Sequence, residues 1–171
     1  MFYVKSYLNI PTKKILNLDE ILQSPEKYFL DVDNYEGVVS IYDKLDLDYL
    51  NGAIYIEYNN EVIMDFRLWD IIDQLWSYMI NLFEDFISND VAETYFPDQP
   101  IKISIDKISN SIVLFSINSK QWKLDKELLI KNLLNGAENF FEKMITYSIN
   151  ENDYYEAELI RIRSLRERIT V

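Results

Sequence analysis

Residues 53–88 read AIYIEYNNEVIMDFRLWDIIDQLWSYMINLFEDFIS. Two hydrophobic periods follow one another in this stretch. Ile54 and Ile56 alternate with Tyr55 and Glu57, the repeat of a strand that buries one face. Asn59 and Asn60 tolerate positive φ and supply a turn, so residues 61–66 return as the second strand of a hairpin. The repeat then changes. Leu68, Ile72, Leu75, Met79, Leu82 and Phe86 recur three or four positions apart, with Ile71, Trp76 and Phe83 widening the stripe, which predicts a helix over 67–88. Asp70, Asp73, Ser77, Asn81, Glu84 and Ser88 fall opposite the stripe and read as a solvated face.

Working outward, residues 2–8 carry the aromatic and β-branched residues of a strand. Residues 18–29 are part helical, with Pro25 interrupting. Residues 31–37 are turn-like, and 37–42 (GVVSIY) predict a short strand. Downstream, Ile101, Ile103 and Ile105 alternate with Lys102 and Ser104, and a turn near Ser109-Asn110 leads to the apolar run 112–115, a second hairpin over 101–117. A strand is expected at 121–124. Asp125 then caps a helix to about residue 147, whose stripe is Leu129, Leu133, Ala137, Phe140 and Met144. Gly136 lies mid-helix at a cost in propensity, which close packing against another element would justify. Residues 153–169 form a last helix, with Leu159, Ile162, Leu165 and Ile169 inward and four arginines around them. Hairpins with helices between and after them define an α+β class: an antiparallel sheet built from hairpins and packed against two or three amphipathic helices. At 171 residues, the expectation is a single globular domain over 1–171.

The charge is regional. Residues 31–98 hold sixteen acidic residues against two basic ones, Lys44 and Arg67, a net −14; the whole chain is −12. A one-signed region repels nucleic acid and anionic lipid and favours a basic partner. The chain has neither cysteine nor histidine. That excludes disulfides, thiolate and imidazole metal sites, and Ser-His-Asp or Cys-His nucleophile systems. No stretch is apolar enough to span a membrane, and the N-terminus lacks the pattern of an export signal, so the expected location is the cytoplasm.

Several constellations reduce to plainer readings. Residues 31–37 (DVDNYEG) place glycine seventh rather than sixth, and Tyr42 stands where a calcium loop needs a carboxylate. Asp43, Asp46 and Asp48 read as loop carboxylates before they read as ligands of a divalent cation. Asp70 and Asp73 are spaced like an acid–base pair, but nothing else in the sequence supplies a sugar cleft, so they too read as solvent-facing. The C-terminal arginines are interleaved with glutamates, and 151–171 nets −1, which suits a covering helix better than a nucleic-acid surface. Neither a phosphate loop nor a dinucleotide fingerprint is present, and no cofactor is implied.

Three stretches, 69–87 (WDIIDQLWSYMINLFEDFI), 96–105 (FPDQPIKISI) and 133–144 (LLNGAENFFEKM), together with the first hairpin, resemble small bacterial immunity proteins of polymorphic or contact-dependent toxin systems. The resemblance covers residues 50–147 and carries no catalytic signature. It implies a cytoplasmic, non-enzymatic protein that binds a cognate toxin domain, often a basic nuclease, and blocks it. The expected partner-binding residues are Asp46, Asp48, Glu57, Glu61, Asp70 and Asp73 for electrostatic steering, with Tyr55 and Tyr58 as anchors; no catalytic or metal-binding residue is expected. The alternatives are a nucleic-acid-mimicking inhibitor of a DNA-binding protein and a carboxylate enzyme using a divalent metal. Oligomeric state has no signature in the sequence.

Overall fold

Asn59 and Asn60 both adopt left-handed backbone, with φ of 50° and 66°, and close the first hairpin where the sequence places it. The structure, a computed structural model, describes residues 1–147 and 153–169. Its first half runs β1 (Phe2–Asn9), α1 (Leu18–Gln23), β2 (Phe29–Asp31), α2 (Tyr35–Ile41), β3 (Asn51–Tyr58), β4 (Glu61–Met64), β5 (Asp70–Ile71) and α3 (Ile72–Asn89). The second half runs β6 (Val91–Tyr95), β7 (Lys102–Lys107), β8 (Ile112–Ile117), β9 (Lys120–Asp125), α4 (Lys126–Thr146) and α5 (Tyr154–Ile169).

The class is α+β, with two antiparallel sheets where the sequence reading drew one. The first has the order β2-β1-β3-β4, with β5 also paired to β3; the second is β6-β7-β8-β9. One contiguous apolar cluster joins the inner faces of both sheets to α3, α4 and α5. Trp76 of α3 sits at its centre and donates its indole N–H to Ser6 Oγ of β1 at 3.0 Å. Gly136 lets α4 cross this point. A Cβ there would lie 2.6 Å from Val4 Cγ1 and 3.0 Å from the Trp76 ring, so the close packing suggested by its mid-helix position is present. Asp125 caps α4, accepting from the Leu128 N–H at 2.8 Å.

Four local expectations fail, each for a visible reason. Residues 37–42 are helical, not extended. Asn34 accepts from the Gly37 N–H at 3.0 Å and starts α2, so Val38 is buried while Val39 is exposed. The helix expected from 67 begins at Ile72, because Phe66–Leu68 forms a 3₁₀ turn and Asp70–Ile71 pairs with Asn51 and Gly52. Trp69 therefore precedes the helix. β6 has no counterpart in the sequence reading. Its short VAETY run offers only Ala92 to the core, and it is recognisable as a strand through its pairing with β7.

The fourth concerns the polar side of α3, part of which α5 covers: Asp73 and Ser77 are buried and Glu84 is half-buried, while Asn81 and Ser88 remain exposed. Asp70 and Asp73 are 2% and 6% exposed. Tyr155 donates its hydroxyl to Asp73 at 3.0 Å, and the Tyr154 hydroxyl meets Ser77. Arg161 pairs with Glu84 at 2.7 Å and with the buried Glu158 at 3.0 Å. The arginines of the last helix thus fasten it to α3 and α4, with Arg166 pairing to Glu138 at 2.7 Å.

Candidate functional site: a tyrosine-floored acidic groove

The alternation that points Val4, Ser6 and Leu8 of β1 towards the core turns Tyr3, Lys5 and Tyr7 to the opposite face of the first sheet. On β3 the same rule turns Ala53, Tyr55 and Glu57 outward beneath the buried Ile54 and Ile56. The register places Tyr3 beside Glu57, Lys5 beside Tyr55 and Tyr7 beside Ala53, while Glu57 faces Val62 on β4. One end of this outer face is covered by a small cluster of Ile21, Phe29, Ala53 and Phe66. The other end is open. Between them lies a groove of about 880 Å³, lined by Tyr3, Tyr7, Tyr55, Phe66, Val62 and by Glu26, Asp31, Glu57, Asp65 and Arg67 among others.

The aromatic rings form a continuous floor. Tyr3 and Tyr55 meet edge-on with centroids 6.0 Å apart; Phe66 lies 5.6 Å from Tyr55 and 4.8 Å from Tyr7. Rings that brace one another lose little freedom when a partner lands on them, which suits binding.

Four carboxylates and one cation line the groove. Asp65 and Arg67 form a forked pair, with Nη2 to Oδ2 at 2.6 Å and Nε to Oδ1 at 3.0 Å. Burial opposes ionisation of Asp65, but the Arg67 guanidinium and backbone N–H outweigh it and hold the carboxyl below its ordinary range. Lys5 sits 3.3 Å from Asp31 and 2.5 Å from Asp33, and Lys143 is 3.6 Å from Asp33, so the acidic 31–37 turn is internally compensated. Glu57 accepts from the Tyr55 hydroxyl at 3.1 Å. Burial, then neighbouring hydroxyl and carboxylate groups, pushes the Tyr7 and Tyr55 hydroxyls above the ordinary tyrosine range. Both tyrosines are therefore neutral near pH 7. They stack and donate hydrogen bonds and do not serve as phenolate bases.

The residues expected to bind a partner do not come together. Tyr55 and Glu57 are in the groove. Tyr58 lies on the inner face, its ring 4.5 Å from that of Phe2. Glu61 is at the far end of the hairpin and accepts from the Trp122 indole N–H at 2.7 Å. Asp46 and Asp48 stay exposed in the loop before β3, where Asp46 accepts from the Asp48 and Tyr49 N–H groups at 3.1 and 3.2 Å. Asp70 is a buried joint. Desolvation raises its pKa although the Ile71 and Asp98 N–H groups hydrogen-bond it, tying β5 to the 96–101 loop. Desolvation likewise raises Asp73, against the Tyr155 hydroxyl. Among the described residues, no three acidic side chains converge where a metal ion would be held.

Comparison with family models, curated proteins and solved structures finds no match. What the groove does is therefore argued from its own residues. Tyr3, Tyr7, Asp65 and Phe66 were missed in the sequence reading. The outward half of β1 was legible by the same alternation that exposed Tyr55, but its position beside β3 depends on a pairing 50 residues long-range that no local signal carries. Among the described residues, no helix is long and apolar enough to cross a membrane.

Proposed function

We propose that this chain is a non-enzymatic immunity-type inhibitor that captures a cationic toxin domain on the outer face of its first sheet. The observation that carries the reading is the groove itself: an aromatic floor wide enough for a protein segment, ringed by Glu26, Asp31, Glu57 and Asp65 against a single lining cation, Arg67. Aromatic residues supply contact area at low entropic cost, while the surrounding carboxylates accelerate encounter with a positive surface. The resemblance of residues 50–147 to toxin-system immunity proteins points the same way. Tyr55 and Glu57 are retained as contact residues. Asp46 and Asp48 serve long-range steering from the neighbouring loop. Asp70 and Asp73 are withdrawn from the contact set because they lie inside the fold.

Support for the nucleic-acid-mimic alternative falls with the same burial. A phosphate-like array needs a row of exposed carboxylates, yet Asp70 and Asp73 are internal, and Asp31, Asp33 and Asp65 already face cations.

The test is co-expression with the C-terminal domain of the adjacent upstream gene product, the toxin this reading expects. Rescue of growth and a co-purifying complex that fails when Tyr55→Ala and Glu57→Lys are combined is the expected result. Full rescue by that double variant, or no complex with the wild-type chain, overturns the reading.

A further inference from the structure

We propose that the open end of the groove is a subsite for one arginine side chain of the partner, with Glu57 as counter-ion and Tyr3 and Tyr55 as its aromatic walls. This deepens the binding function proposed above and rests on it. Tyr3, Glu57 and Val62 stand side by side across β1, β3 and β4. Glu57 differs from its acidic neighbours. Asp65 is held by Arg67 and Asp31 by Lys5, whereas Glu57 has no ion pair among the described residues. The Tyr55 hydroxyl occupies Oε2, which orients the carboxylate and leaves Oε1 for an incoming donor.

The surroundings select the kind of cation. Tyr3 and Tyr55 are inclined at 74°, so a planar guanidinium that stacks on one ring keeps its N–H fork directed at the carboxylate. An ammonium pairs as a point charge and gains less from the rings. Val62 is 41% exposed beside Glu57 and offers an apolar ledge for the side-chain methylenes.

The probes are hexaarginine and hexalysine peptides, titrated into the full chain by calorimetry and by amide NMR at low and near-physiological salt. Hexaarginine is expected to bind more tightly, shifting the amides of Tyr3, Tyr55, Glu57 and Val62. Glu57→Gln should weaken it on the order of tenfold, as expected for loss of a charge-assisted bond. Glu142→Gln, exposed on α4 and outside the groove, should change it by less than about twofold. Tyr55→Phe keeps the ring and removes the orienting hydroxyl, and should weaken hexaarginine more than hexalysine. Equal binding of the two peptides, or equal losses for Glu57→Gln and Glu142→Gln, overturns the subsite. Hexaarginine binding at Glu57 without rescue in co-expression would uphold the subsite and remove the toxin reading. A toxin complex indifferent to Glu57→Gln would do the reverse.

Discussion

Gly136→Ala should destabilise the protein, although the same change in an exposed helix would stabilise it. Alanine is better than glycine in a helix interior by about 1 kcal/mol. Against that, the new Cβ would stand 2.6 Å from Val4 Cγ1 and 3.0 Å from the Trp76 ring. Ordinary carbon contacts lie at roughly 3.5–4.0 Å, so Val4 or the α4 backbone must retreat by about 1 Å. Neither neighbour yields easily. Val4 is β-branched and sits on β1, paired to Ile56 of β3. The Trp76 indole is held by its bond to Ser6. Overpacking of this kind costs about 1–3 kcal/mol, and the upper part of that range applies where both neighbours are fixed. The net expectation is a loss of about 1–2 kcal/mol, or roughly 2–8 °C in Tm for a chain of this size. Urea unfolding followed by circular dichroism measures it. Val4→Ala combined with Gly136→Ala should lose less than the two singles added, by about 1 kcal/mol, since the alanine at position 4 opens the space. A Gly136→Ala protein as stable as wild type, or a strictly additive double variant, would refute the claim that α4 and β1 interlock here.

Three further outcomes follow from the structure. Desolvation raises the pKa of Asp73 and Glu158 in the native state, so the folded chain takes up protons before the unfolded one and stability falls as pH rises from the ordinary carboxylate value through the raised one. Urea midpoints should therefore increase as pH is lowered from neutrality towards the ordinary carboxylate range, and Asp73→Asn, which keeps an acceptor for the Gln74 N–H, should flatten that trend; an unchanged slope would contradict it. Asp125→Ala removes the cap of α4 and should cost about 1 kcal/mol by the same urea assay. Arg67→Ala breaks an ion pair at the groove wall whose cation is 41% exposed, so stability should change by no more than about 1 kcal/mol while the freed Asp65 speeds association with a cationic partner in stopped-flow.

Much of the fold was legible because its strongest signals are local. The change from a two-residue to a three-to-four-residue period between Glu57 and Ile72 marks the passage from hairpin to helix, and Asn59-Asn60 and Asp125 punctuate it by their own chemistry. What escaped was decided by distant partners. The polar row of α3 has the spacing of a solvated face, yet α5, some 80 residues later, brings Tyr155 and Arg161 to cover part of it. Residues 37–42 have strand-like composition, and a single cap at Asn34 makes them helical. The groove was half visible: alternation exposed Tyr55 and Glu57, but their companions Tyr3 and Tyr7 reach them only through the β1–β3 register. Asp70 illustrates the limit of charge counting, since one carboxylate of the acidic stretch serves as a buried tie between β5 and the loop after β6.

The central claim is that this groove meets a cationic partner, and the most direct test is the association rate with the partner recovered by co-expression as ionic strength is varied. The wild-type rate should fall steeply with salt, and the double charge reversal Glu26→Lys with Glu57→Lys should lower the rate and flatten its salt dependence. A wild-type rate insensitive to salt, or a double variant that associates as the wild type does, would contradict the account.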